Sequence, residues 1–250
     1  MHSTRSTANR SAEVPRRVVS LVPSLTETLF ELGVGDTVVG ATDFCIYPSS
    51  IDCQRVGGTK SPDVEKIRAL QPDLVHMNLE ENLRKHAEQI ERFAPLHVTE
   101  PKSVADVRDL LTELGEIHCA SRRAADLIDQ LDAELSQMPK RTFTFACAIW
   151  KKPWMWCGGD TYVSSLITSA GGRNVLEHQK RYPQMDLNCM ASLEPEIIFL
   201  PDEPYVFPES DADEVREKTS ARVIGPFPGH LFTWHGVRTI EGLRFLRQAF

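Results

Sequence analysis

Short apolar runs alternate with amphipathic segments over the first hundred residues. The runs are rich in β-branched residues and are bounded by proline, glycine or aspartate, a pattern typical of buried strands. The predicted strands are 17–22, 37–40, 74–77 and 96–98. The helices predicted between them are 27–32, with Ser24 or Thr26 as N-cap, 63–70, with Asp63 as N-cap, and 83–93. Strands that alternate with helices predict a parallel sheet covered on both faces.

The pattern becomes purely helical at residue 103. Apolar residues at helical spacing predict one helix from Ser103 to about Gly115 and a second from Ser121 to Met138, which Pro139 ends. At 1.5 Å per residue the second helix is ~27 Å long, which is enough to connect two lobes. Because a helix is stiff, we expect hinge motion about it to be small.

The second half of the chain returns to the α/β pattern. Its predicted strands are 142–149, 197–200 and 223–224, and its predicted helices are 162–170 and 239–249. We therefore predict an α/β fold of two Rossmann-like lobes with mainly parallel sheets, joined by a long backbone helix and separated by a ligand cleft. The predicted organisation is a disordered polar tail at 1–16, an N-terminal lobe at 17–102, the helical segment at 103–139 and a C-terminal lobe at 140–250.

Composition argues against several classes of partner. The formal net charge of -7 disfavours nucleic acid and anionic membrane surfaces, and no apolar stretch approaches the ~20 residues that cross a bilayer. The sequence begins with a polar, arginine-containing segment that lacks the apolar region of a secretory signal, so as written it predicts a cytoplasmic protein. A misplaced start would instead allow a periplasmic or cell-surface location.

Candidate chemistry in the sequence is sparse. Six cysteines are spread along the chain without a CxxC pair, so zinc-site spacing is absent. Cys45 and Cys53 flank one loop and either form a disulfide or remain free thiols. The motifs GxSxG, HExxH and the phosphate-binding GxxxxGKS/T are absent as well. The sequence therefore disfavours an enzyme and predicts no catalytic cofactor.

A series of short motifs follows one order along the chain. In the first half they are Arg17–Ser24, Leu32–Gly40, Tyr47–Pro48, Val56–Gly58 and Val64–Val75. In the second half they are Gly158–Tyr162, Ala170–Val175 and Tyr182–Gln184. In these motifs and their order the chain resembles the helical-backbone (class III) periplasmic substrate-binding proteins, most closely the cobalamin-binding and metal-chelate branch of ABC importers. The resemblance runs from about Arg17 to the C-terminus.

This resemblance implies a ligand between the lobes, on loops at the carboxyl ends of strands. A flat corrin or chelate suits aromatic walls, because stacking buries a large area at low entropic cost. The residues implied for ligand binding are Phe44, Tyr47, Trp154, Trp156, Tyr182, Trp234 and His235. His235 could ligate the chelated metal, hydrogen-bond a polar group of the ligand or make a structural hydrogen bond, and the aromatic residues could instead serve in packing.

The resemblance also implies docking on an ABC permease through one glutamate on each lobe. Glu65 matches the first-lobe position, whereas the second-lobe position is Asn188, which carries no charge. The expected function is capture of a cobalamin-like corrinoid or another metal chelate, such as haem or a ferric siderophore, by a monomeric substrate-binding protein. The alternatives are an intracellular binder or sensor of such chelates, which Asn188 favours, and a small-molecule α/β enzyme.

Overall fold

The N-terminal lobe is a five-stranded parallel sheet. The computed structural model describes residues 13–250, so the predicted tail at 1–16 lies mostly outside the described residues. The elements of the lobe are β1 (Val18–Ser20), α1 (Pro23–Glu31), β2 (Val38–Ala41), β3 (Gln54–Arg55), α2 (Val64–Ala69), β4 (Leu74–Asn78), α3 (Arg84–Ile90) and β5 (Leu96–Thr99). The strand order is β3-β2-β1-β4-β5, and every neighbouring pair is parallel.

Helices cover both faces of this sheet. Successive strand residues point to opposite faces, so Val19 lies on the face covered by α2 and α3, where Ile67 and Ile90 are fully buried. Val18 lies on the other face and packs with Leu29 of α1. The sheet is therefore buried on both sides, which explains why its strands read as continuous apolar runs.

Helix α1 begins earlier than predicted. Pro23 occupies its first turn, where a missing N–H leaves no hydrogen bond unmade, and no side chain caps the helix. Ser24 and Thr26, the predicted caps, are wrong because both lie buried inside the helix. The predicted cap of α2 is confirmed, because the Asp63 carboxylate accepts from the Lys66 N–H at 3.0 Å.

Two helices connect the lobes. They are α4 (Val104–Ile117) and α5 (Ser121–Ser136), which fold back on each other through a short turn. The Val104 N–H donates to Ser165 Oγ of the C-terminal lobe at 3.2 Å, whereas His118, just after α4, lies 3.0 Å from His76 of the N-terminal lobe. The joining helix predicted from the sequence corresponds to α5, and α4 reinforces it by spanning the same gap in the opposite direction.

The C-terminal lobe has a mixed sheet. Its elements are β6 (Phe143–Trp150), β7 (Met155–Trp156), α6 (Tyr162–Ser169), β8 (Gly172–Asn174), α7 (Leu187–Ser192), β9 (Ile197–Pro201), α8 (Glu209–Lys218), β10 (Arg222–Phe227), α9 (His230–Thr233) and α10 (Arg238–Ala249). The strand order is β10-β9-β6-β7, and β8 also pairs with β6. Strand β7 runs antiparallel to β6, and the remaining pairs are parallel. The predicted α/β fold of two lobes with mainly parallel sheets is confirmed.

One hydrophobic core runs through both lobes. It joins Leu25 of α1, Leu111 of α4 and Leu127 of α5 to Phe145 of β6 and Leu243 of α10, and all five side chains are almost completely buried. Apolar surface costs roughly 25 cal/mol per Å² to expose to water, so separating the lobes along this side is unfavourable. The shared core therefore ties the lobes together behind the cleft.

Three imidazoles link β4, β5 and the end of α4. His76 Nδ1 lies 2.8 Å from His97 Nδ1, and His76 Nε2 lies 3.0 Å from His118 Nε2. His97 Nε2 lies 3.3 Å from a carboxylate oxygen of Glu113. In each of the two imidazole contacts one ring nitrogen donates and the other accepts, so the tautomers of the three rings are coupled. Burial lowers the pKa of His76, and it lowers the pKa of His118 to about 4, so both rings are neutral at pH 7.

Candidate ligand-binding cleft

Loops at the carboxyl ends of strands meet between the two lobes. Residues that follow β2 and β4 contact residues that follow β8 and β10. In open parallel sheets these carboxyl-end loops are the usual place for a ligand. The contacts therefore outline a cleft whose walls come from both lobes.

An aromatic group forms one part of the cleft wall. The Tyr47 ring packs edge-on against His230 and Trp234, with ring centroids 5.4 and 5.9 Å away. The Arg238 guanidinium lies over the Tyr47 ring, 4.3 Å from its centroid. Tyr47 is half-buried and Trp234 is 9% exposed. The structure thus brings together two of the residues that the resemblance implies, although protein already covers most of Trp234.

His235 bridges the lobes from the inside. Asn78 Oδ1 accepts from the N–H groups of Glu80 and Glu81 at 2.8 and 3.2 Å. The Nδ2 end of that amide therefore points to His235 Nε2, at 3.2 Å. Because Nε2 accepts, the ring proton is on Nδ1, which lies 3.4 Å from Ser24 Oγ.

Both ring nitrogens of His235 are therefore engaged. The ring is 7% exposed, and burial lowers its pKa to about 4, so it is neutral. The prediction that His235 ligates a chelated metal is wrong, because no nitrogen is free and the ring is covered; the structural hydrogen bond is what the geometry shows. Within residues 13–250, no group of three or more His, Cys, Asp or Glu side chains is arranged to hold a metal ion.

The tryptophans after β6 have different environments. Trp156 is fully buried, and its indole Nε1 donates to the Met185 carbonyl at 2.8 Å. The prediction that Trp156 lines the cleft is therefore wrong, because it is a core residue of the C-terminal lobe. Trp154 is half-buried and stacks between Trp156 and Phe207, with centroids 5.6 and 5.8 Å away. Phe44, by contrast, is 59% exposed.

Tyr182 reaches the N-terminal lobe at an exposed edge of the cleft. Its hydroxyl donates to Glu80 Oε2 at 3.1 Å, and Arg181 pairs with the other oxygen of the same carboxylate. The Arg181 and Glu80 side chains are 52% and 34% exposed. This contact joins the lobes beside the position that the resemblance gives to the ligand.

Two half-buried glutamates, one from each lobe, add charge to the cleft. Glu203 follows β9, and its Oε2 accepts from Trp234 Nε1 and Thr233 Oγ1, both at 3.1 Å. Glu81 follows β4. Burial raises the pKa of both carboxyls, and the charge of Glu203 raises the pKa of Glu81 further. No sequence motif singled out either residue, because each lies in an ordinary acidic loop.

Glu65 lies away from the cleft, in the first turn of α2. Its side chain is 79% exposed and 3.5 Å from Arg68. On the other lobe, Asn188 is exposed in the first turn of α7. The docking role of Glu65 stays a prediction.

Two further sequence expectations concern the whole chain. All six cysteines are free thiols, so Cys45 and Cys53 do not form a disulfide in this structure. Among residues 13–250, no helix combines the length and the apolar character that a membrane span needs.

Comparison with known proteins places the chain among binding proteins. Residues 18–220 match the sequence family described as periplasmic binding protein. An uncharacterized ABC transporter substrate-binding lipoprotein of Bacillus subtilis (strain 168), YvrC, is 26% identical over 94% of this chain and 80% of its own length. The vitamin B12-binding protein of Vibrio campbellii is 26% identical over 74% of this chain and 70% of its own length.

Solved structures share the fold. The periplasmic vitamin B12 binding protein BtuF of Vibrio cholerae has a TM-score of 0.77 at 18% identity, covering 94% of this chain and 96% of BtuF. The periplasmic heme-binding protein RhuT from Roseiflexus sp. RS-1 has a TM-score of 0.78 at 21% identity, covering 94% and 97%.

Proposed function

The chain belongs to the periplasmic binding protein family, and we propose that it is a substrate-binding protein that captures a corrinoid or a related metal chelate between its lobes. The observation that carries the proposal is the meeting of aromatic and polar side chains from both lobes at the carboxyl ends of the strands. Relatives named as vitamin B12-binding proteins match three quarters of the chain, which supports a corrinoid. Solved structures of heme-binding proteins share the fold.

The side chains proposed to contact the ligand are those that retain accessible surface at the cleft. They are Phe44, Tyr47, Trp154 and Tyr182, with Trp234 contributing the little surface that protein leaves uncovered. Aromatic side chains suit a flat macrocycle because they bury large areas and lose few rotamers. The role is binding and not turnover: the relatives are named as binding proteins, and the cleft side chains described above serve contact and charge complementarity.

The more specific part of the proposal is that the chain delivers its ligand to an ABC permease. Relatives named as an ABC transporter lipoprotein and as periplasmic binding proteins support an importer and a periplasmic or cell-surface location, and in this proposal the exposed Glu65 is the docking residue of the N-terminal lobe. Asn188 favours the second candidate, an intracellular chelate binder without a permease, because a neutral amide cannot form an ion pair with a cationic side chain of a permease. Membrane fractionation of cells that express the full chain distinguishes the two candidate functions. Recovery of wild type with the permease, together with loss of Glu65→Ala from that fraction, supports the importer.

Titration with cyanocobalamin, cobinamide and haem tests ligand capture. We expect at least one of them to quench tryptophan fluorescence, with Trp154→Phe removing much of the change because Trp154 is half-buried and is proposed above to contact the ligand. The matched control is Trp150→Phe, which removes an exposed indole that packs on Tyr205 and should leave the ligand affinity unchanged. If none of the three ligands changes the fluorescence or binds by calorimetry, the corrinoid or haem assignment is refuted.

A further inference from the structure

The cleft carries more negative than positive charge after its ion pairs are counted. The Glu80 carboxylate is taken by Arg181 and Tyr182. Arg238 is taken by Glu27. In each of these pairs the positive and negative charges cancel, so the pairs exert little net electrostatic force on a ligand.

Beside these pairs lie two further carboxylates, Glu81 and Glu203, and one lysine, Lys60. Among the described residues, no hydrogen-bond partner is found for the Glu81 side chain or for Glu203 Oε1. Lys60 lies near Glu81, but its Nζ donates to the Glu80 carbonyl oxygen. Asp202, beside Glu203, has an oxygen that accepts from the Gly229 N–H at 2.6 Å and adds another negative charge.

The opposed carboxylates are held in place by their own loops. Asn78 Oδ1 fixes the N–H of Glu81, and Trp234 and Thr233 hold one oxygen of Glu203, which leaves its second oxygen to accept from something else. Burial raises the pKa of both groups, the charge of Glu203 raises that of Glu81 further, and the charge of Asp202 raises that of Glu203, so neutralisation by hydrogen-bond donors or by a cation would relieve an existing cost.

We propose that Glu81 and Glu203 are specificity-determining residues, which make the cleft select chelates that present amide N–H donors or net positive charge and reject chelates that present carboxylates. This inference rests on the proposed function and narrows its ligand class. Corrinoids carry a periphery of primary amides, which donate to carboxylates, and aquacobinamide forms are cationic. Haem carries two propionates, which these glutamates repel. The structure thus assigns corrinoids, and not haem, as the preferred chelates.

Calorimetric titration of the full chain with aquacyanocobinamide and with haem tests this selectivity. For wild type we expect tighter binding of cobinamide than of haem, by at least about tenfold, with the cobinamide affinity falling as salt is raised. In the double variant Glu81→Gln with Glu203→Gln, haem should gain and cobinamide should lose affinity, so that their ratio shrinks by about tenfold or more. Glutamine keeps the acceptor oxygen that Trp234 and Thr233 use.

Glu217→Gln, on the exposed outer face of α8, removes the same charge away from the cleft and should leave the ratio unchanged. If wild type binds both ligands, and the ratio of the two affinities changes neither in the double variant nor with salt, the inference is overturned and the proposed function stands. Wild type that binds neither overturns both. Because salt dependence is measured on wild type alone, the inference remains testable even where the double variant does not fold.

Discussion

Arg238 is the side chain whose removal should most clearly show how the lobes are joined. It begins α10 and pairs with Glu27 of α1, with Nε donating to Oε2 at 2.9 Å. The two side chains are only 12% and 13% exposed. The guanidinium also lies over Tyr47. One residue of the C-terminal lobe therefore holds two groups of the N-terminal lobe.

The structure sets the magnitude of the expected loss. Burial raises the pKa of Glu27 above its ordinary 4.5 even though Arg238 lowers it, so desolvation outweighs the pair. In Arg238→Met, Glu27 would be left charged in a desolvated place or would take up a proton. Protonating a carboxyl of pKa 4.5 at pH 7 costs about 3.4 kcal/mol, which limits that part of the penalty. The lost contact with Tyr47 adds about 1 kcal/mol, so we expect a loss of about 4 kcal/mol at pH 7.

The penalty should depend on pH in a defined direction. The variant raises the folded-state pKa of Glu27 further, so the folded state binds more protons than the unfolded chain and loses stability as pH rises above 4.5. At pH 5.5 the protonation cost falls to about 1.4 kcal/mol, and the total penalty to about 2.4 kcal/mol. Urea unfolding of wild type and variant at both pH values, followed by circular dichroism, measures the difference.

Two further variants separate charge from packing. Glu27→Gln combined with Arg238→Met removes both charges and should recover most of the loss, because desolvation no longer opposes folding. Arg216→Met breaks two exposed ion pairs on α8, with Glu209 and Asp213, and should cost far less than Arg238→Met. If Arg238→Met costs no more than Arg216→Met, or if its penalty does not change with pH, then Glu27 is not desolvated and the reasoning fails.

Three other predictions follow from buried and exposed groups. Burial lowers the pKa of His118 and His235 to about 4, whereas the pKa of an unfolded histidine is 6.5. The unfolded state therefore binds more protons below pH 6.5, and stability should fall by up to about 3 kcal/mol per ring towards pH 4. In urea unfolding, His118→Asn should make stability depend less on pH. Trp156→Ala should cost about 3–5 kcal/mol in the same assay, against less than about 1 kcal/mol for Trp150→Ala, which is 40% exposed; equal losses would contradict the core assignment of Trp156. Arg181→Ala should change stability by less than about 1 kcal/mol because its pair with Glu80 is largely hydrated, and a larger loss would show that this pair holds the lobes closed.

The hydrophobic pattern predicted most helices and strands of the lobes, because the buried side chains of these elements recur at the spacing typical of helices and strands. Strand β4 is buried at every position and contains the apolar residues Leu74, Val75 and Met77, and α10 repeats Ile240, Leu243 and Leu246 at helical spacing. The start of α1 was missed because Pro23 was interpreted as the end of a strand, whereas it also suits the first turn of a helix.

The site was predicted less completely, because its residues acquire their roles from distant partners. Trp154 and Trp156 are two residues apart and look equivalent in the sequence, but a loop around Met185 covers Trp156 and accepts its N–H. His235 looks like a free metal ligand until Asn78, far away in the chain, is placed beside it. Periodicity does not report such long-range partners.

The same distant contacts bear on how the cleft works. His235 and Arg238 fasten the C-terminal lobe to Asn78 and Glu27 of the N-terminal lobe, and the shared core lies behind them. Wide opening would break a buried ion pair and two buried hydrogen bonds at once, whereas the exposed contact between Glu80 and Arg181 is cheap to break. We therefore expect ligand entry through displacement of the Arg181 loop, with little rotation of the lobes. Solution scattering with and without cobinamide should show nearly unchanged dimensions, and a large domain closure would contradict this picture.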